Sequence, residues 1–468
     1  MNPRVFREYD IRGVADRDLD DAFVLDLGHA IGTHLSRAGA KRITLGRDCR
    51  VSSPRIHAAL SRGLCDTGLH ILDVGMVATP LLYYSVFHFD ADGGVQITGS
   101  HNPGEDNGFK ILKGKSTIHG AEIQELRKRV ESREFDLVTQ PHNAGTVEHH
   151  DIQASYISYA RQHINLGARR FPIVVDAGNG AGGPTMVPLL EEMGFAVTPL
   201  YCDPDGTFPN HHPDPTVEAN VADLKKEVAK QRAEVGIALD GDADRLGVVD
   251  EKGRVVWGDQ LMILFARAIL AECPGATFVS EVKCSQALYD EIEKAGGRAI
   301  MWKVGHSLIK EKMKEEKALL AGEMSGHIFF AHRYLGYDDA IYSAARLVEL
   351  LSHSQMTLAE HVDTLPKLFN TPEIRVGCPD DSKFEVVRRA VLRFQKQHEV
   401  VAVDGARVKF ADGWGLVRAS NTGPVLVLRF EAATAARVDE IRRYVEGEIA
   451  DIKREMGVPE DATASGAH

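Results

Sequence analysis

Residues 235–250 are VGIALDGDADRLGVVD, two apolar β-like runs joined by a loop that carries three aspartates. Asp240, Asp242 and Asp244 alternate along this loop, and carboxylates so close together repel one another unless a cation neutralises them. Ligand sets made only of oxygen suit hard divalent ions such as Mg²⁺ or Ca²⁺. The stretch therefore predicts a strand, a metal-binding loop and a second strand, and the alternative is a solvated acidic turn.

An EF-hand loop is a rival explanation of the same stretch. The aspartates would occupy its positions 1, 3 and 5, and Glu251 falls at position 12. An EF-hand needs glycine at position 6, where this sequence has Arg245, and it has helices on both sides rather than strands. The sequence therefore argues against a calcium-sensor loop.

The sequence on both sides of this stretch alternates between strand and helix signals. FPIVVD (171–176), a helix at 184–194, FAVTPLY, a helix at 217–231 and VGIALD form one unit. Residues 1–150 alternate in the same way, and a third unit begins near RVVW (254–257). Strands separated by helical stretches of about 10–15 residues predict parallel α/β sheets.

The last part of the chain has a different order of elements. EIRV and a helix at 382–398 are followed by VVAVD, GARVKFADGWGLVRA and PVLVLRFEA, and then by a final helix. Successive strands with turn signals between them predict an α+β domain with an antiparallel sheet. The tail, residues 459–468, is small and polar, and we expect it to be disordered.

Composition excludes several classes of protein. The chain has 468 residues, 44% of them hydrophobic and 26% charged, which is typical of a soluble protein of several domains. A net charge of −12 without a block of lysine or arginine argues against nucleic-acid binding. No apolar run approaches the ~18 residues of a membrane span, and we expect no signal peptide. Six cysteines without a C-x-x-C pair favour a reducing, cytoplasmic location.

A glycine-rich stretch suggests a second class of function. Gly178, Gly180 and Gly183 in VVDAGNGAGG follow a strand and precede a helix, and Asp203 lies 20 residues beyond. This G-x-G-x-x-G pattern is found in NAD-dependent dehydrogenases, where an acidic residue at that distance binds the ribose. A helix packed tightly on its strand needs the same glycines, so the pattern alone is weak evidence.

Three further loops carry polar residues whose simplest explanation is a turn. Ser100 lies in ITGSHNPGEDNGF (97–109), and Glu323, Ser325 and His327 lie in AGEMSGHIFF. In the second of these loops, the alternation of Glu323, Ser325 and His327 with other residues suits hydrogen bonding to a hydroxyl-rich ligand. The third loop, in VRASNTGPVLVLRF, offers a forked cation, hydroxyls and loop amides that suit a phosphate; its polar residues are Arg418, Ser420, Asn421 and Thr422.

The motifs TGSHNP, DGDADR, GEMSGH and RASNTGP, in this order, closely resemble those of the α-D-phosphohexomutase superfamily. EYDIRG, NGFKI, VVDAGNG and KVGH agree with this resemblance, which runs from about residue 4 to about residue 455. Met324 and the TGSHNP form are most similar to the bifunctional phosphomannomutase/phosphoglucomutase group. Phosphoglucosamine mutases, which are similar, usually carry glutamine where Met324 stands.

The resemblance implies a fold of four domains around a central cleft. Three similar mixed α/β domains would span residues 1–150, 151–253 and 254–368, and a C-terminal α+β domain would span residues 369–468. They would contribute a phosphoserine loop, a metal-binding loop, a sugar-binding loop and a phosphate-binding loop, in that order.

The resemblance also implies an activity, the interconversion of hexose 1-phosphate and hexose 6-phosphate. Ser100 would carry the phosphoryl group, Asp240, Asp242 and Asp244 would bind Mg²⁺ together with the phosphoserine, and a hexose 1,6-bisphosphate would be both intermediate and activator. A monomer or weak homodimer is expected. The remaining matched positions are sugar contacts (Glu323, Ser325), phosphate contacts (Arg418, Ser420, Asn421, Thr422), further substrate contacts (Tyr9, Arg12, Lys283, His306), positive groups beside the phosphoserine (Lys110, Arg245) and candidate general bases (Lys110, His306, His327).

Overall fold

A computed structural model describes residues 1–421 and 423–459 of the chain. These residues form four sheets, each with its own helices, and we call the four units the first to fourth domains. The position of Thr422 and the tail at 460–468 lie outside the described residues. No helix in the described ranges is long and apolar enough to cross a membrane.

The first domain has a seven-stranded sheet in the order β1-β5-β4-β2-β3-β7, with β6 paired to β5. Its strands are β1 (Ile11–Val14), β2 (Arg42–Arg47), β3 (His70–Met76), β4 (Gly93–Ile97), β5 (Asp106–Lys113), β6 (Ser116–Thr117) and β7 (Val147–His149). Its helices are α1 (Ala15–Asp18), α2 (Asp21–Arg37), α3 (Ser53–Cys65), α4 (Thr79–His88) and α5 (Ala121–Ser132).

The second domain has a five-stranded sheet in the order β12-β11-β10-β8-β9. Its strands are β8 (Pro172–Asp176), β9 (Ala196–Leu200), β10 (Val235–Leu239), β11 (Leu246–Asp250) and β12 (Val255–Val256). Its helices are α6 (Gln153–Gln162), α7 (Gly183–Glu192) and α8 (Ala222–Gln231).

The third domain has a four-stranded sheet in the order β14-β13-β15-β16. Its strands are β13 (Thr277–Glu281), β14 (Arg298–Trp302), β15 (Leu320–Gly322) and β16 (Ile328–Phe330). Its helices are α9 (Gly258–Glu272), α10 (Gln286–Lys294), α11 (His306–Glu315), α12 (Ala340–His353) and α13 (Leu358–Asp363).

The fourth domain has an antiparallel sheet in the order β17-β22-β21-β20-β19, with β18 paired to β22. Its strands are β17 (Phe369–Asn370), β18 (Ile374–Gly377), β19 (Val400–Val401), β20 (Ala406–Phe410), β21 (Gly413–Ala419) and β22 (Val425–Ala432). Its helices are α14 (Lys383–Phe394) and α15 (Ala435–Glu455). The predicted α+β class of this region is confirmed.

The first three sheets are mixed, so the expectation from alternation that they are parallel is wrong. In each of them one strand turns back beside its predecessor: β5 pairs antiparallel with β4, β11 with β10, and β16 with β15. The return strands follow the loops of Ser100, of Asp240 and of Glu323, and β22 follows the Arg418 loop in the same way. Each domain therefore presents its motif loop at an equivalent position, the turn between two antiparallel strands.

The strand at RVVW belongs to the second sheet and not to the third. Residues Val255–Val256 pair antiparallel with β11, across a turn at Gly253 whose φ is 77°. The prediction that the third unit begins with this strand is therefore wrong, whereas the boundary between residues 253 and 254 stays a prediction. Sheet membership depends on the partner strand, which local hydrophobicity does not identify.

The largest cluster of buried side chains extends across three of the domains, and the first domain has a second core of its own between its sheet and helices α2, α3 and α5. One large cluster of buried side chains joins α4 of the first domain to the helices and strands of the second and third. The fourth domain has a separate core between its sheet, α14 and α15. A small cluster that includes Val282, Trp414 and Leu416 joins the third domain to the fourth.

Candidate active site

Ser100 lies on the loop between β4 and β5, at the end of a strand in the middle of the first sheet. The residue is only 2% exposed, and its φ of 50° is uncommon for a residue other than glycine. Its Oγ donates a hydrogen bond to Asp240 Oδ2 at 2.8 Å and lies 3.1 Å from His101 Nδ1. The motif loops of the first and second domains therefore meet at this hydroxyl.

A fully buried arginine, Arg50, holds the serine loop from inside the protein. Its Nε donates to Asp48 Oδ2 at 3.1 Å, which pairs its charge. Its terminal nitrogens donate to four backbone carbonyl oxygens of the serine loop, those of Ser100 (2.8 Å), Asn102 (2.6 Å), Asp106 (2.8 Å) and Pro103. No local pattern identifies Arg50 in the sequence, because its role is visible only when the loop that it binds has been placed.

The three aspartates of the second domain form a buried acidic site. Asp240, Asp242 and Asp244 are all 0% exposed, and one oxygen of each lies within 4.8 Å of the others. Asp242 Oδ1 and Asp244 Oδ1 have no hydrogen-bond partner among the described residues. Buried carboxylate oxygens without partners, in a set made only of oxygen, fit a hard divalent cation such as Mg²⁺.

Lys110 from the first domain reaches the same carboxylates. Its Nζ donates to Asp242 Oδ2 at 2.7 Å and to Asp244 Oδ2. Burial opposes its charge, yet these two carboxylates raise the pKa of Lys110 well above its ordinary value. Burial also works against the charge of Asp242, but Lys110 keeps the pKa of Asp242 low, whereas burial and the two neighbouring carboxylates raise the pKa of Asp240.

The glycine-rich stretch supports the aspartate loop. The backbone N–H of Ala181 donates to Gly241 O at 2.9 Å, and a Cβ at Gly180 would lie 2.6 Å from the same oxygen. The side chain of Asn179 donates to the backbone oxygen of Asp203. The close approach of the two loops explains Gly180, and a Cβ at Gly183 would lie 2.2 Å from Cys202 O, so packing accounts for both glycines without a dinucleotide.

Arg245 and His327 are hydrogen-bonded to each other. Arg245 Nε donates to His327 Nε2 at 3.1 Å. Because arginine stays protonated in proteins, Nε2 is the acceptor and a neutral His327 carries its hydrogen on Nδ1. That nitrogen lies 3.2 Å from Oδ2 of the fully buried Asp338.

His306 packs beside His327, with ring centroids 5.6 Å apart and planes at 21°. Burial is the main cause that lowers the pKa of His306 well below its ordinary value. Lys310 Nζ donates to the other oxygen of Asp338 at 3.0 Å. Asp338 and Lys310 were not predicted as site residues from the sequence, since a lysine on an amphipathic helix has no distinguishing local signal.

Glu323 and Ser325 lie on the turn between β15 and β16. Glu323 is buried, and its Oε1 accepts a hydrogen bond from the backbone N–H of Gly305 at 2.7 Å. Ser325 is partly exposed on the same turn. The GEMSGH turn is thereby fixed to the KVGH loop, residues 303–306.

Lys283 lies in the third domain between two carboxylates, one of which comes from the start of the fourth domain. Its Nζ lies 3.3 Å from Glu373 and 3.5 Å from Glu281. Burial raises the pKa of Glu281 to about 7, although the charge of Lys283 acts in the opposite direction. Lys283 is thus held in place by acidic side chains.

The phosphate loop lies between β21 and β22. Arg418 is 5% exposed, and its Nε donates to Asp404 Oδ2 at 3.0 Å. Ser420 Oγ accepts a hydrogen bond from the backbone N–H of Gly423 at 3.2 Å. The prediction for Thr422 falls outside the described residues.

Two residues of the first domain reach towards the other loops. Tyr9 donates its hydroxyl hydrogen to Val304 O at 2.8 Å and accepts from Asn421 Nδ2 at 2.5 Å. Arg12 Nη1 donates to Asn102 Oδ1 of the serine loop at 2.6 Å. Tyr9 therefore connects three domains, and Arg12 supports the loop of Ser100.

The described site residues belong to one region of the molecule. Contacts lead from the serine loop to the phosphate loop across all four domains. The successive pairs are Ser100 with Asp240, Arg245 with His327, His327 with His306, His306 with Tyr9 (ring centroids 6.4 Å) and Tyr9 with Asn421.

Comparisons with known proteins agree with this architecture. Four families match in order, described as phosphoglucomutase/phosphomannomutase alpha/beta/alpha domains I (3–137), II (154–253) and III (257–369) and the C-terminal domain (373–448). The chain is 45% identical over 458 residues to a phosphomannomutase/phosphoglucomutase of Pseudomonas aeruginosa, covering 97% of both. It is 44% identical over 448 residues to a phosphoglucomutase of Neisseria meningitidis, covering 95% of this chain and 96% of that one.

A solved structure is similar over almost its whole length. A phosphoglucomutase/phosphomannomutase family protein from Burkholderia thailandensis superposes with a TM-score of 0.90 at 37% identity. The match covers 97% of this chain and 98% of that one. With its four domains matched in order, the chain belongs to the phosphoglucomutase/phosphomannomutase family.

Proposed function

We propose that this enzyme interconverts hexose 1-phosphates and hexose 6-phosphates, with glucose and mannose phosphates as substrates. The reaction passes through a phosphorylated Ser100 and a hexose 1,6-bisphosphate, and the activity is that of an isomerase. The observation that carries the proposal is the buried Ser100 hydroxyl, which donates to Asp240 of a second domain. A turn serine without a catalytic role has no need of a buried acidic site beside it.

Asp240, Asp242 and Asp244 would hold one Mg²⁺ per chain, with the Ser100 phosphate as a further ligand. When bound there, Mg²⁺ supplies positive charge that stabilises the transferring phosphoryl group. Lys110 and Arg245 add fixed positive charge in the same region, and the buried position of Ser100 limits access of water.

The reaction requires a proton acceptor. The phosphorus–oxygen bond to Ser100 Oγ breaks, a bond to the sugar hydroxyl oxygen forms, and a general base takes the hydroxyl proton. Lys110 donates to two carboxylates, and His327 Nε2 already accepts from Arg245. His306 is neutral at physiological pH because its pKa is lowered, and neither of its ring nitrogens is hydrogen-bonded to a described residue, so we favour His306 as the base.

The bisphosphate then turns end over end and returns its other phosphate to Ser100. Either end must therefore fit the same phosphate loop. Arg418, Ser420, Asn421 and Thr422 would grip the phosphate that is not reacting. Glu323 and Ser325 would bind sugar hydroxyls, and the further substrate contacts would be Tyr9, Arg12 and Lys283.

Sugar selectivity follows from the same contacts. Glucose and mannose differ only at C2, and we propose that Glu323 binds hydroxyls that both sugars share. A site that does not bond a hydroxyl discriminates weakly, so kcat/KM for glucose 1-phosphate and mannose 1-phosphate should agree within about two decades. A preference for glucosamine phosphate over both would favour the phosphoglucosamine mutases instead.

The proposal extends to the setting of the enzyme. We propose that it works in the cytoplasm on small sugar phosphates, as a monomer or weak homodimer, with a hexose 1,6-bisphosphate as activator. It would not bind nucleic acid or a membrane.

The experiment that tests the proposal is mass spectrometry before and after incubation with glucose 1,6-bisphosphate and Mg²⁺. We expect the intact protein to gain one phosphoryl group, which peptide mapping should place on Ser100. Activity towards glucose 1-phosphate and mannose 1-phosphate should accompany the gain. An active enzyme with its phosphate on another residue, or with no phosphoenzyme, would overturn the proposal.

A further inference from the structure

Asp404 lies in the turn between β19 and β20, outside the motifs that the sequence analysis identified. Its side chain is 17% exposed, and a single oxygen, Oδ2, accepts two hydrogen bonds. One comes from Arg418 Nε and the other from the backbone N–H of Val304, each at 3.0 Å. This oxygen thus joins the phosphate loop of the fourth domain to the KVGH loop of the third.

The glycine after Asp404 allows this turn to approach the phosphate-binding arginine. Gly405 has a φ of 91°, and a Cβ at this position would lie 2.3 Å from Val417 O and 2.8 Å from Arg418 Cα. A residue with a side chain therefore cannot pack here without moving the backbone of β21. The turn geometry keeps Asp404 beside Arg418.

The backbone that Asp404 contacts in the third domain is itself part of the site. Val304 O accepts the hydroxyl hydrogen of Tyr9, and the next N–H, that of Gly305, donates to Glu323. The Asp404 bond occupies Arg418 Nε, while neither Nη nitrogen of Arg418 is hydrogen-bonded to a described residue. Two parallel N–H donors remain for a phosphate, and their direction is fixed relative to Glu323.

We propose that Asp404 is a positioning residue for phosphate binding. Its carboxylate orients the Arg418 guanidinium and ties it to the third domain, which sets the separation between the phosphate and the sugar contacts. A long side chain that is oriented in advance loses less rotamer freedom when the ligand binds. This inference rests on the proposed function, since it assigns the Arg418 loop to the phosphate of a hexose phosphate.

The test is a double-mutant cycle measured with glucose 1-phosphate at saturating Mg²⁺. Asp404→Ala should raise KM about tenfold, because the variant lacks the charged hydrogen bond that orients Arg418 for the phosphate. It should leave kcat within about threefold, because the reacting groups are not changed. In an Arg418→Ala background the same change should raise KM less than about twofold. Asp404→Asn keeps an oxygen acceptor but not the charge, and we expect an intermediate KM.

Asp412→Ala is the matched control, because Asp412 occupies another turn of the same sheet and pairs with Arg437 at 2.9 Å. It should leave KM unchanged. A wild-type KM in Asp404→Ala, or an equal rise in KM in both backgrounds, would overturn the inference. If Asp404→Ala does not fold, the same comparison is made with Asp404→Asn, and a wild-type KM there overturns it equally. The wild-type enzyme separates the proposed function from the role of Asp404. A wild type without mutase activity contradicts the proposed function, whereas an active wild type with an unaffected Asp404→Ala variant contradicts only the role of Asp404.

Discussion

The serine loop of the first domain and the phosphate loop of the fourth are held by the protein in different ways. The serine loop is fixed by Arg50 from within its own domain, between two strands whose buried side chains belong mainly to the first domain's own core. The phosphate loop stands on the separate core of the fourth domain and is joined to the others through Asp404 and Tyr9. The serine loop thus has its support within one domain, whereas the place of the phosphate loop relative to the rest of the site depends on contacts between domains.

This difference has a physical reason. Phosphoryl transfer depends on alignment, and small displacements of reacting atoms reduce the rate severely. The phosphate loop is instead proposed to bind the phosphate that does not react, so its contacts should affect affinity more than the rate of the chemical step. Variants of the serine loop should therefore change kcat, and variants of the phosphate loop should change KM.

Ser100→Ala should have the largest effect. Removal of the proposed phosphoryl carrier should lower kcat by at least about three orders of magnitude, as loss of a covalent nucleophile does in other enzymes. The fold should survive, because one hydroxyl contributes only about 1 kcal/mol. The measurement is mutase activity at matched Mg²⁺ and bisphosphate, with the exposed Ser116→Ala as control. Full activity in Ser100→Ala would contradict the assignment.

Asp242→Asn tests the charge of the acidic site. It keeps the shape of the side chain but removes one of the three buried carboxylates, so kcat should fall about 100-fold or more. Substrate affinity, measured by calorimetry, should change much less. Asp90→Asn, at an exposed acid of the same protein, is the control. A near-normal kcat with Mg²⁺ would show that the acidic site is not used.

Arg50→Met tests whether the serine loop needs its internal support. The change leaves Asp48 buried without its partner and removes the donors of four carbonyl oxygens, so the free energy of unfolding should fall by about 3–5 kcal/mol. Urea unfolding measures this loss, and kcat should fall with it. Arg407→Met is the matched variant, because Arg407 is also fully buried but donates to Val282 O and Cys284 O across the boundary of the third and fourth domains. If both variants lower kcat and leave KM unchanged, the two regions do not differ as we describe.

Tyr9→Phe should have the smallest effect. It removes one hydroxyl that bonds to Val304 O and Asn421, so KM for glucose 1-phosphate should rise only a few-fold, as expected for a loss of about 1 kcal/mol. The value of kcat should stay close to that of the wild type. A large drop in kcat with an unchanged KM would instead make Tyr9 part of the chemistry.

Much of the local structure could be predicted from the sequence. The strands FPIVVD and FAVTPLY match β8 and β9, and the helix predicted at 184–194 agrees with α7 to within two residues. α4 carries no amphipathic period because it is buried almost all round, so periodicity gave no signal for it.

The sequence by itself determined the four motif loops, since Ser100, the three aspartates, Glu323 and Arg418 are identified by short patterns of residues that are contiguous in the chain. Only the tertiary structure decided which residues support them. Arg50, Asp338 and Asp404 are separated in sequence from the groups they hold, and the return strands are defined by their partners. Local sequence patterns reflect interactions between residues that are close in the chain. A buried ion pair or a strand pairing forms only when separate segments come together, and no short stretch of sequence identifies both partners.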